Sequence, residues 1–480
     1  MDDEPLRAPS RRATLAYAAP AFALALLGVP VFVHLPRFYA ESLAVPLAPL
    51  GLAILLTRAL DAALDPLIGA WSDRTRSRWG RRRPFIALAA VPLGASVVAL
   101  FTPPVSGPTA VWWFAGTMAV AFTAWTAVQV PHAALGPELA RGYHARTRLF
   151  AVRDGLWMAG TLVAAAAPAM TRALLAGGSG APTEQAVFAA LGLAYAALLV
   201  VLPWWCAAAV VESAGPPPAT AGEPAPMAGT ATGVASRGRP PASIWANRPY
   251  RILLSAYGVA ALGGALPGTL LFFYVEHVLG APAWGDALLG AYFLAGFAGL
   301  PVWTRLAGRF GKRPTFLIAT ALALAVFALA LPLGRGDVGA FMVVTILTGT
   351  AFGATLTLPA SMLADTIDYD ELRSGRRREG LFVGVWGITT KLSAALGAGL
   401  ALPALGWAGY TPGAAPPETA VLALRLLYCA VPSACYAAAL TIAWRYPIDE
   451  AAHRAIGIAC RARREGVGTN DPLTGDPISI

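Results

Sequence analysis

Apolar runs that are long enough to cross a lipid bilayer are the feature that most constrains how this chain can fold. Runs such as 43–70 and 381–404 exceed the roughly 20 residues that a helix needs to cross the hydrocarbon core. Only 13% of the residues are charged, whereas about a quarter are charged in ordinary soluble domains. Taken between polar breaks, the runs predict twelve transmembrane helices, near 13–35, 43–70, 84–103, 109–135, 151–175, 185–211, 251–278, 285–307, 314–333, 338–364, 381–407 and 418–445. The sequence therefore predicts an all-α polytopic membrane protein.

The distribution of basic residues predicts the orientation of these helices. If both termini lie on one side, that side carries 29 of the 36 Lys and Arg residues, and the other side carries only Arg37, Arg172 and Arg335. The positive-inside rule then places both termini in the cytoplasm and requires an even number of spans. The net charge of +10 follows from this topology, so a nucleic-acid partner is not expected. The acidic start MDDEP lacks the basic region of a secretory signal, and the first span is expected to stay in the mature protein.

The chain is expected to consist of two similar halves. Residues 213–250 are rich in Pro, Gly, Ala and Thr, which predicts a flexible cytoplasmic linker between six-helix bundles at 1–212 and 251–446, and 447–480 is a cytoplasmic tail. The motif WGRRRPF before span three returns as FGKRPTF before span nine, with Pro84 and Pro314 230 residues apart. Pro131 and Pro359 form a second pair, 228 residues apart. Two matches at nearly the same offset indicate parallel repeats, the plan of major-facilitator transporters.

Ionisable residues inside the predicted spans are candidates for a functional site, because an unpaired charge in a bilayer is costly. Arg58, Asp61 and Asp65 share one face of span two. Asp61 lies about 15 Å from the cytoplasmic end of its span, which is near the midplane. Thr126 in span four and Lys391 in span eleven lie at the same depth, each ten residues from the cytoplasmic end. Transporters place solute and coupling ion at this level.

The same residues resemble a known family. The segment 61–84 is similar to the span-two signature of the glycoside-pentoside-hexuronide:cation symporters, the melibiose permease group of the major facilitator superfamily. The resemblance continues through 131–148 and 361–380 and returns at 444–447. It implies a major-facilitator fold and a secondary active transporter that couples the symport of a sugar or glycoside to H⁺ or Na⁺ by alternating access. The five histidines are scattered and indicate no catalytic set, so an enzyme or a cofactor is not expected.

The resemblance also implies roles for individual residues. Asp61, Asp65 and Thr126 correspond to the cation site, and the two carboxylates would be metal ligands if Na⁺ is the coupling ion. Arg58 corresponds to the neighbouring arginine. The residues counted with the solute pocket are Gln129, Arg153, Trp386 and Lys391. Two structural alternatives remain open: the carboxylates could form an ion-pair cluster with Arg58 or Lys391, and Lys391 could be a packing or snorkelling lysine.

This sequence departs from the sugar-using members at several positions. The span-one aspartate of the family falls at Ala25, the acidic position in span four is Gln129, and Leu64 replaces an asparagine that is common in sodium-using relatives. Carboxylates are strong hydrogen-bond acceptors for sugar hydroxyls, so their loss keeps solutes other than sugars among the candidates. The alternatives are a symporter or exporter of an amphipathic, lipid-like or terpenoid solute, and a membrane sensor that does not transport. Leu64 offers no oxygen to sodium, which favours coupling to protons.

Charged residues in the cytoplasmic loops have two interpretations. Asp73, near several arginines, and Asp368 with Asp370, beside further arginines, suggest networks that hold the cytoplasmic ends together in the outward-open state, or only topology signals. The expected partners are a small-molecule solute and the lipid bilayer, with no obligate protein partner. Only 2 of the 36 basic residues are lysine, which suggests a GC-rich bacterial genome and therefore an inner-membrane location.

Overall fold

A computed structural model of the 480-residue chain describes residues 9–28, 30–35, 38–39, 42–45, 47–140, 142–176, 183–212, 243–410 and 416–478. Most of the predicted linker, 213–242, lies outside the described residues. In the described part of the chain, twelve helices follow one another: α1 Arg11–Ala25, α2 Leu47–Arg74, α3 Arg83–Phe101, α4 Ala110–Leu139, α5 Tyr143–Leu175, α6 Glu184–Ala209, α7 Arg248–His277, α8 Gly285–Phe310, α9 Lys312–Ala330, α10 Val338–Ser374, α11 Glu379–Trp407 and α12 Glu418–Ala443. A thirteenth helix, α13 Glu450–Arg464, and a small antiparallel hairpin of β1 Thr469–Asn470 and β2 Pro477–Ile478 complete the chain.

Shorter turns interrupt or connect these helices. A π-helical turn at Pro30–His34 follows α1, and another at Leu426–Ala430 lies within α12. Single 3₁₀ turns precede α4, α7 and α8, at Gly107–Thr109, Ile244–Ala246 and Pro282–Trp284.

The helices agree with the predicted spans. Within the described residues, ten helices, α3 to α12, are long and apolar enough to cross a membrane. The short α1 and its π turn occupy the first predicted span, and α2, with its charged residues, occupies the second. The all-α prediction is therefore confirmed, whereas the total of twelve spans and their orientation remain predictions.

Apolar side chains both fill the core and cover the outer surface. One buried cluster lies in α1–α6 around Leu93, Leu100 and Phe114, and two others lie in α7–α12. Leu174 and Trp407 on the surface are largely exposed. Surface side chains of this kind suit contact with lipid. The two halves meet mainly where α2 packs on α11, and where α5 packs on α8 and α10.

The repeated motif adopts the same backbone turn in both halves. Gly80 precedes α3 with φ of 101°, and Gly311 precedes α9 with φ of 88°. Positive φ strains residues that carry a side chain, which explains a glycine at both positions. Before α3, the carboxylate of Glu212 accepts hydrogen bonds from the backbone N–H groups of Arg81, Arg82 and Arg83, at 2.6, 2.9 and 2.7 Å. These are helix-end donors that need a partner outside the helix.

The segment after 447 is folded against α10. Asp449 caps α13 by accepting a hydrogen bond from the N–H of Ala452 at 2.8 Å. Ile456 and Ala459 on α13 are buried in the core of the second half. In the hairpin segment, Asp471 accepts a hydrogen bond from the hydroxyl of Tyr369 at 2.7 Å. The predicted tail is thus an ordered cover on the end of the bundle that carries both termini.

Candidate functional site

A buried carboxylate pair on α2 forms the centre of the site. Asp61 and Asp65 are only 4% and 1% exposed. The hydroxyl of Thr126 on α4 donates to Oδ1 of Asp61 at 2.8 Å and to Oδ1 of Asp65 at 3.3 Å. The ammonium of Lys391 on α11 lies 2.8 Å from each of the same two oxygens. Three side chains that the sequence placed at one depth, those of Asp61, Thr126 and Lys391, therefore meet at one point together with Asp65.

The position of Lys391 matches one of the structural alternatives that the sequence left open. Its ammonium lies between the two carboxylates. This is the geometry of the ion-pair alternative, in which a lysine of the second half neutralises carboxylates of the first. Two carboxylates against one ammonium leave a site that can also accept a proton or a small cation. The side chain of Arg58, one turn before Asp61, lies outside the described residues.

Glycines on α11 allow its backbone to approach α2 closely at this point. A Cβ atom added to Gly387 would lie 2.5 Å from Oδ2 of Asp65, and one added to Gly384 would lie 2.7 Å from the carbonyl oxygen of Asp65. Small residues at helix contacts in membranes let two backbones come together. The approach brings Lys391, one turn beyond Gly387, within reach of both carboxylates.

The predicted solute residues Gln129 and Trp386 are half-buried near the same level. Oε1 of Gln129 accepts a hydrogen bond from the indole N–H of Trp125 at 2.8 Å. Trp386 stacks on Tyr257 of α7, with ring centroids 4.0 Å apart. Stacked aromatic rings offer a flat apolar surface of the kind that suits a sugar ring or an aglycone.

Arg153 is paired with a carboxylate that the sequence analysis missed. Its Nε and Nη2 atoms lie 2.8 and 2.7 Å from Oδ1 of Asp154, the next residue on α5. Oδ2 of Asp154 accepts a hydrogen bond from Thr357 on α10 at 3.1 Å. The rule that identified Asp61 applies equally to Asp154, because it is an ionisable residue inside predicted span five.

Two ion-pair clusters join the halves at the end that carries the termini, which we call the closed end. In the first, the Arg82 cluster, the buried guanidinium of Arg82 contacts Asp73 at 2.9 Å, Glu138 at 2.7 Å and Glu379 at 3.1 Å. Burial lowers the pKa of Arg82, but Glu138, Glu379 and Asp73 together raise it above its usual value, so the guanidinium stays charged. Asp73 also accepts hydrogen bonds from the backbone N–H groups of Gly380 and Leu381, at the start of α11.

The second, the Arg146 cluster, lies between α5 and α10. Arg146 contacts Asp365 at 3.0 Å and Asp368 at 2.7 Å. Lys312, which occupies the same place in the repeat as Arg82, lies 2.6 Å from Asp365. His453 of α13 approaches both Asp365 and Asp368, at 3.5 and 3.4 Å. The tail helix is therefore part of this inter-half contact.

Among the predicted gate residues, Asp73 and Asp368 lie in these two clusters. Asp370 instead pairs with Arg378, at 2.6 Å, within the second half. If the termini lie in the cytoplasm, as the charge distribution predicts, the closed end is the cytoplasmic end. Thr147 and Ser361, whose hydroxyls are 3.2 Å apart, add a contact between the halves beside the Arg146 cluster.

Comparisons with known proteins agree with the overall fold. The family described as "MFS/sugar transport protein" matches residues 16–450. The inner membrane symporter YicJ of Escherichia coli (strain K12) is 28% identical over 423 residues, which cover 87% of each chain. The putative glycoside/cation symporter YagG of the same organism is 25% identical, over 88% of each chain. A bacterial homologue of the iron transporter ferroportin, solved in its outward-facing state, has the same fold with a TM-score of 0.65, at 13% identity, over 91% of this chain and 98% of that one.

Proposed function

Because this chain belongs to the MFS/sugar transport protein family, we propose that it is a secondary active transporter that couples the symport of a sugar or glycoside to a cation gradient. It is a multi-pass membrane protein and not an enzyme. The observation that carries the proposal is the contact of Lys391 with Asp61 and Asp65, because it joins a buried carboxylate pair of one half to an ammonium of the other half. The relative named as a glycoside/cation symporter supports this solute class.

The ion pair between the halves gives a physical route for coupling. A cation that binds between Asp61 and Asp65 reduces their attraction for the ammonium of Lys391, because the charge of the carboxylate pair falls. Lys391 and the adjacent α11 are then free to move relative to α2. Movement of one half against the other around a fixed midplane site is the alternating-access mechanism. The ion clusters at the closed end define the state from which this movement starts.

The coupling ion in this proposal is a proton. Sodium needs several oxygen ligands, and the described side chains at the site supply oxygens from Asp61, Asp65 and Thr126 beside a competing ammonium. A proton needs one carboxylate oxygen only. The two carboxylates of the site both contact the ammonium of Lys391, so a proton on either of them reduces the charge that holds the ammonium. The cytoplasmic membrane of a bacterium maintains the required proton gradient.

Reconstituted protein provides the test of the proposed function. Proteoliposomes are assayed with a panel of p-nitrophenyl glycosides and free sugars, with an imposed inward cation gradient and without one. Gradient-driven accumulation of at least one glycoside or sugar, abolished when the gradient is dissipated, is the expected result. A control with Asp65→Asn separates coupling from binding, because exchange of solute down its own gradient should remain. Saturable binding without exchange would identify a sensor instead.

A further inference from the structure

Asp154 connects a candidate solute-binding arginine to the opposite half of the molecule. The residue is only 3% exposed. One carboxylate oxygen holds the guanidinium of Arg153, and the other accepts a hydrogen bond from Thr357 on α10. Asp154 thus lies where helices of both halves converge.

The pairing of Arg153 with Asp154 is not one that an α-helix favours by itself. Consecutive residues point about 100° apart around a helix, so side chains at i and i+1 do not face each other. A third group that holds the carboxylate on the side of the guanidinium therefore favours the pairing. Thr357 is placed to do so, through a hydrogen bond to a charged acceptor, which is stronger than a neutral one.

Arg153 keeps donors for a ligand in this arrangement. Its side chain is 16% exposed, whereas that of Asp154 is 5% exposed. Two of its nitrogen atoms, Nε and Nη2, point to Asp154, and a guanidinium has five N–H donors on three nitrogens. The plane of the group, and with it the direction of the remaining donors, is fixed by Asp154. Solute contacts of Arg153 therefore depend on where Asp154 is held.

We propose that Asp154 is a positioning residue that sets the solute-binding orientation of Arg153 while Thr357 is in contact with it, so that solute affinity differs between the two faces of the membrane. The inference rests on the proposed transport function. α5 and α10 belong to different halves and are joined at the closed end by the Arg146 cluster. When the halves separate there, Thr357 withdraws from Asp154 and Arg153 loses its fixed orientation. High affinity on the outside and release on the inside follow from one hydrogen bond.

The test compares KM for transport from the outer face and from the inner face of the membrane in variants of Thr357. Right-side-out and inside-out vesicles are assayed with the p-nitrophenyl glycoside that the wild-type protein accumulates best. Thr357→Val removes the donor, and we expect KM from the outer face to rise roughly tenfold to a hundredfold, which is the loss of one hydrogen bond to a charged group. KM from the inner face should change less than twofold. Thr357→Ser keeps the hydroxyl and should restore the wild-type difference between the faces.

Two further variants separate this role from a structural one. Thr355→Val is the matched control, because the hydroxyl of Thr355 bonds to the carbonyl of Phe352 on its own helix. Asp154→Asn weakens the contact with Arg153 whether or not Thr357 is bound, and it should raise KM from both faces of the membrane. A thermal unfolding measurement checks that this variant is folded. Equal KM changes on both faces for Thr357→Val, or no change on either, would overturn the inference. If the wild-type protein accumulates no glycoside or sugar, the proposed function itself fails, and the inference fails with it.

Discussion

Lys391 and Asp65 are 326 residues apart in the sequence, yet the ammonium of one lies 2.8 Å from a carboxylate oxygen of the other. The two residues belong to opposite halves, on α11 and α2. A change in the charge of Asp65 therefore acts directly on the contact between the halves. In the proposed mechanism, ion binding is therefore coupled to movement of the halves without a chain of intermediate residues, because this one pair of side chains takes part in both.

Removal of Lys391 should destabilise the protein. Lys391→Met leaves two buried carboxylates without the ammonium, and breaking a buried ion pair in this way costs about 3–5 kcal/mol. We expect a lower midpoint of thermal unfolding in detergent, measured by intrinsic fluorescence. Adding Asp65→Asn to Lys391→Met should recover part of the loss, because it removes one of the stranded charges. Arg335→Met, at an exposed arginine, is the control. If the losses of stability in the two single variants add up to the loss in the double variant, Lys391 and Asp65 are not energetically coupled.

The close approach of α11 to α2 should not tolerate a methyl group at Gly387. A Cβ atom there lies 2.5 Å from Oδ2 of Asp65. Overpacking of this kind costs roughly 1–3 kcal/mol. We expect Gly387→Ala to lower the rate of gradient-driven uptake by about tenfold. Gly290→Ala is the matched control, since nothing lies within 4 Å of a Cβ atom there. Equal activity of the two variants would show that α11 does not need to stay close to Asp65.

The sequence predicted the helical architecture and the common level of Asp61, Thr126 and Lys391, because both follow from regular features of helices. Apolar runs define the helices, and the rise per residue places Asp61, Thr126 and Lys391 at one level. The glycines of the repeated motif, Gly80 and Gly311, both have positive φ. The exact position of the Lys391 ammonium was not predictable, because a long, flexible side chain reaches several points from one backbone position.

Contacts between distant segments account for what the sequence did not predict. His453 joins the Arg146 cluster although it lies 307 residues from Arg146, and no local pattern in the tail signals this contact. Asp154 is an ionisable residue inside a predicted span, so the argument that identified Asp61 also predicts Asp154, although the sequence analysis did not name it. Its partner Thr357 could not have been found, because threonines on helices commonly bond to their own backbone, as Thr355 does.

The Arg82 cluster should control which face of the protein is open. Arg82→Gln removes the guanidinium that contacts Asp73, Glu138 and Glu379 together. Arg81 and Arg377 still contact Glu138 and Glu379, so Asp73 loses the most. The closed end should open, and the equilibrium should shift toward the inward-facing state. The measurement is labelling, from the periplasmic side, of single cysteines placed along the outer halves of α1 and α7, and we expect the labelling rate to fall severalfold.

Matched variants give this prediction its controls. Asp73→Asn, and Asp368→Asn together with Asp370→Asn, should act in the same direction as Arg82→Gln. Arg76→Gln removes an exposed arginine from the same loop and should leave labelling unchanged. Unchanged labelling in Arg82→Gln itself would limit the cluster to a role in folding or topology.

The tail helix should stabilise the closed end through its buried face. Ile456 on α13 is fully buried, whereas Ile458, two residues on, is 66% exposed. Ile456→Ala should weaken the docking of α13 by about 2–5 kcal/mol, the usual cost of a large-to-small change in a core. Limited proteolysis should then cleave the tail faster than in the wild-type protein, and Ile458→Ala should behave like the wild type. Equal cleavage of both variants would show that the buried face of α13 does not hold the tail in place.

The identity of the coupling ion gives the last prediction. Leu64 is next to Asp65 on α2 and supplies no oxygen, and the ammonium of Lys391 occupies the space between the two carboxylates. Sodium would have to compete with that ammonium using the few oxygens of Asp61, Asp65 and Thr126. A proton needs only to neutralise one carboxylate, after which the attraction for Lys391 falls. We therefore expect an inward proton gradient to drive accumulation in proteoliposomes without sodium. Asp65→Asn should abolish accumulation and leave downhill exchange intact.

A variant that adds an oxygen ligand for sodium distinguishes proton coupling from sodium coupling. Leu64→Asn places a carbonyl oxygen next to Asp65, and we expect it to create a response to sodium that the wild-type protein lacks, measured as uptake at fixed pH with and without a sodium gradient. Leu64→Ala is the control, because it shortens the side chain without adding an oxygen. Strict sodium dependence of the wild-type protein at fixed pH would exclude proton coupling. Full accumulation by Asp65→Asn would exclude this carboxylate as the coupling site for either ion.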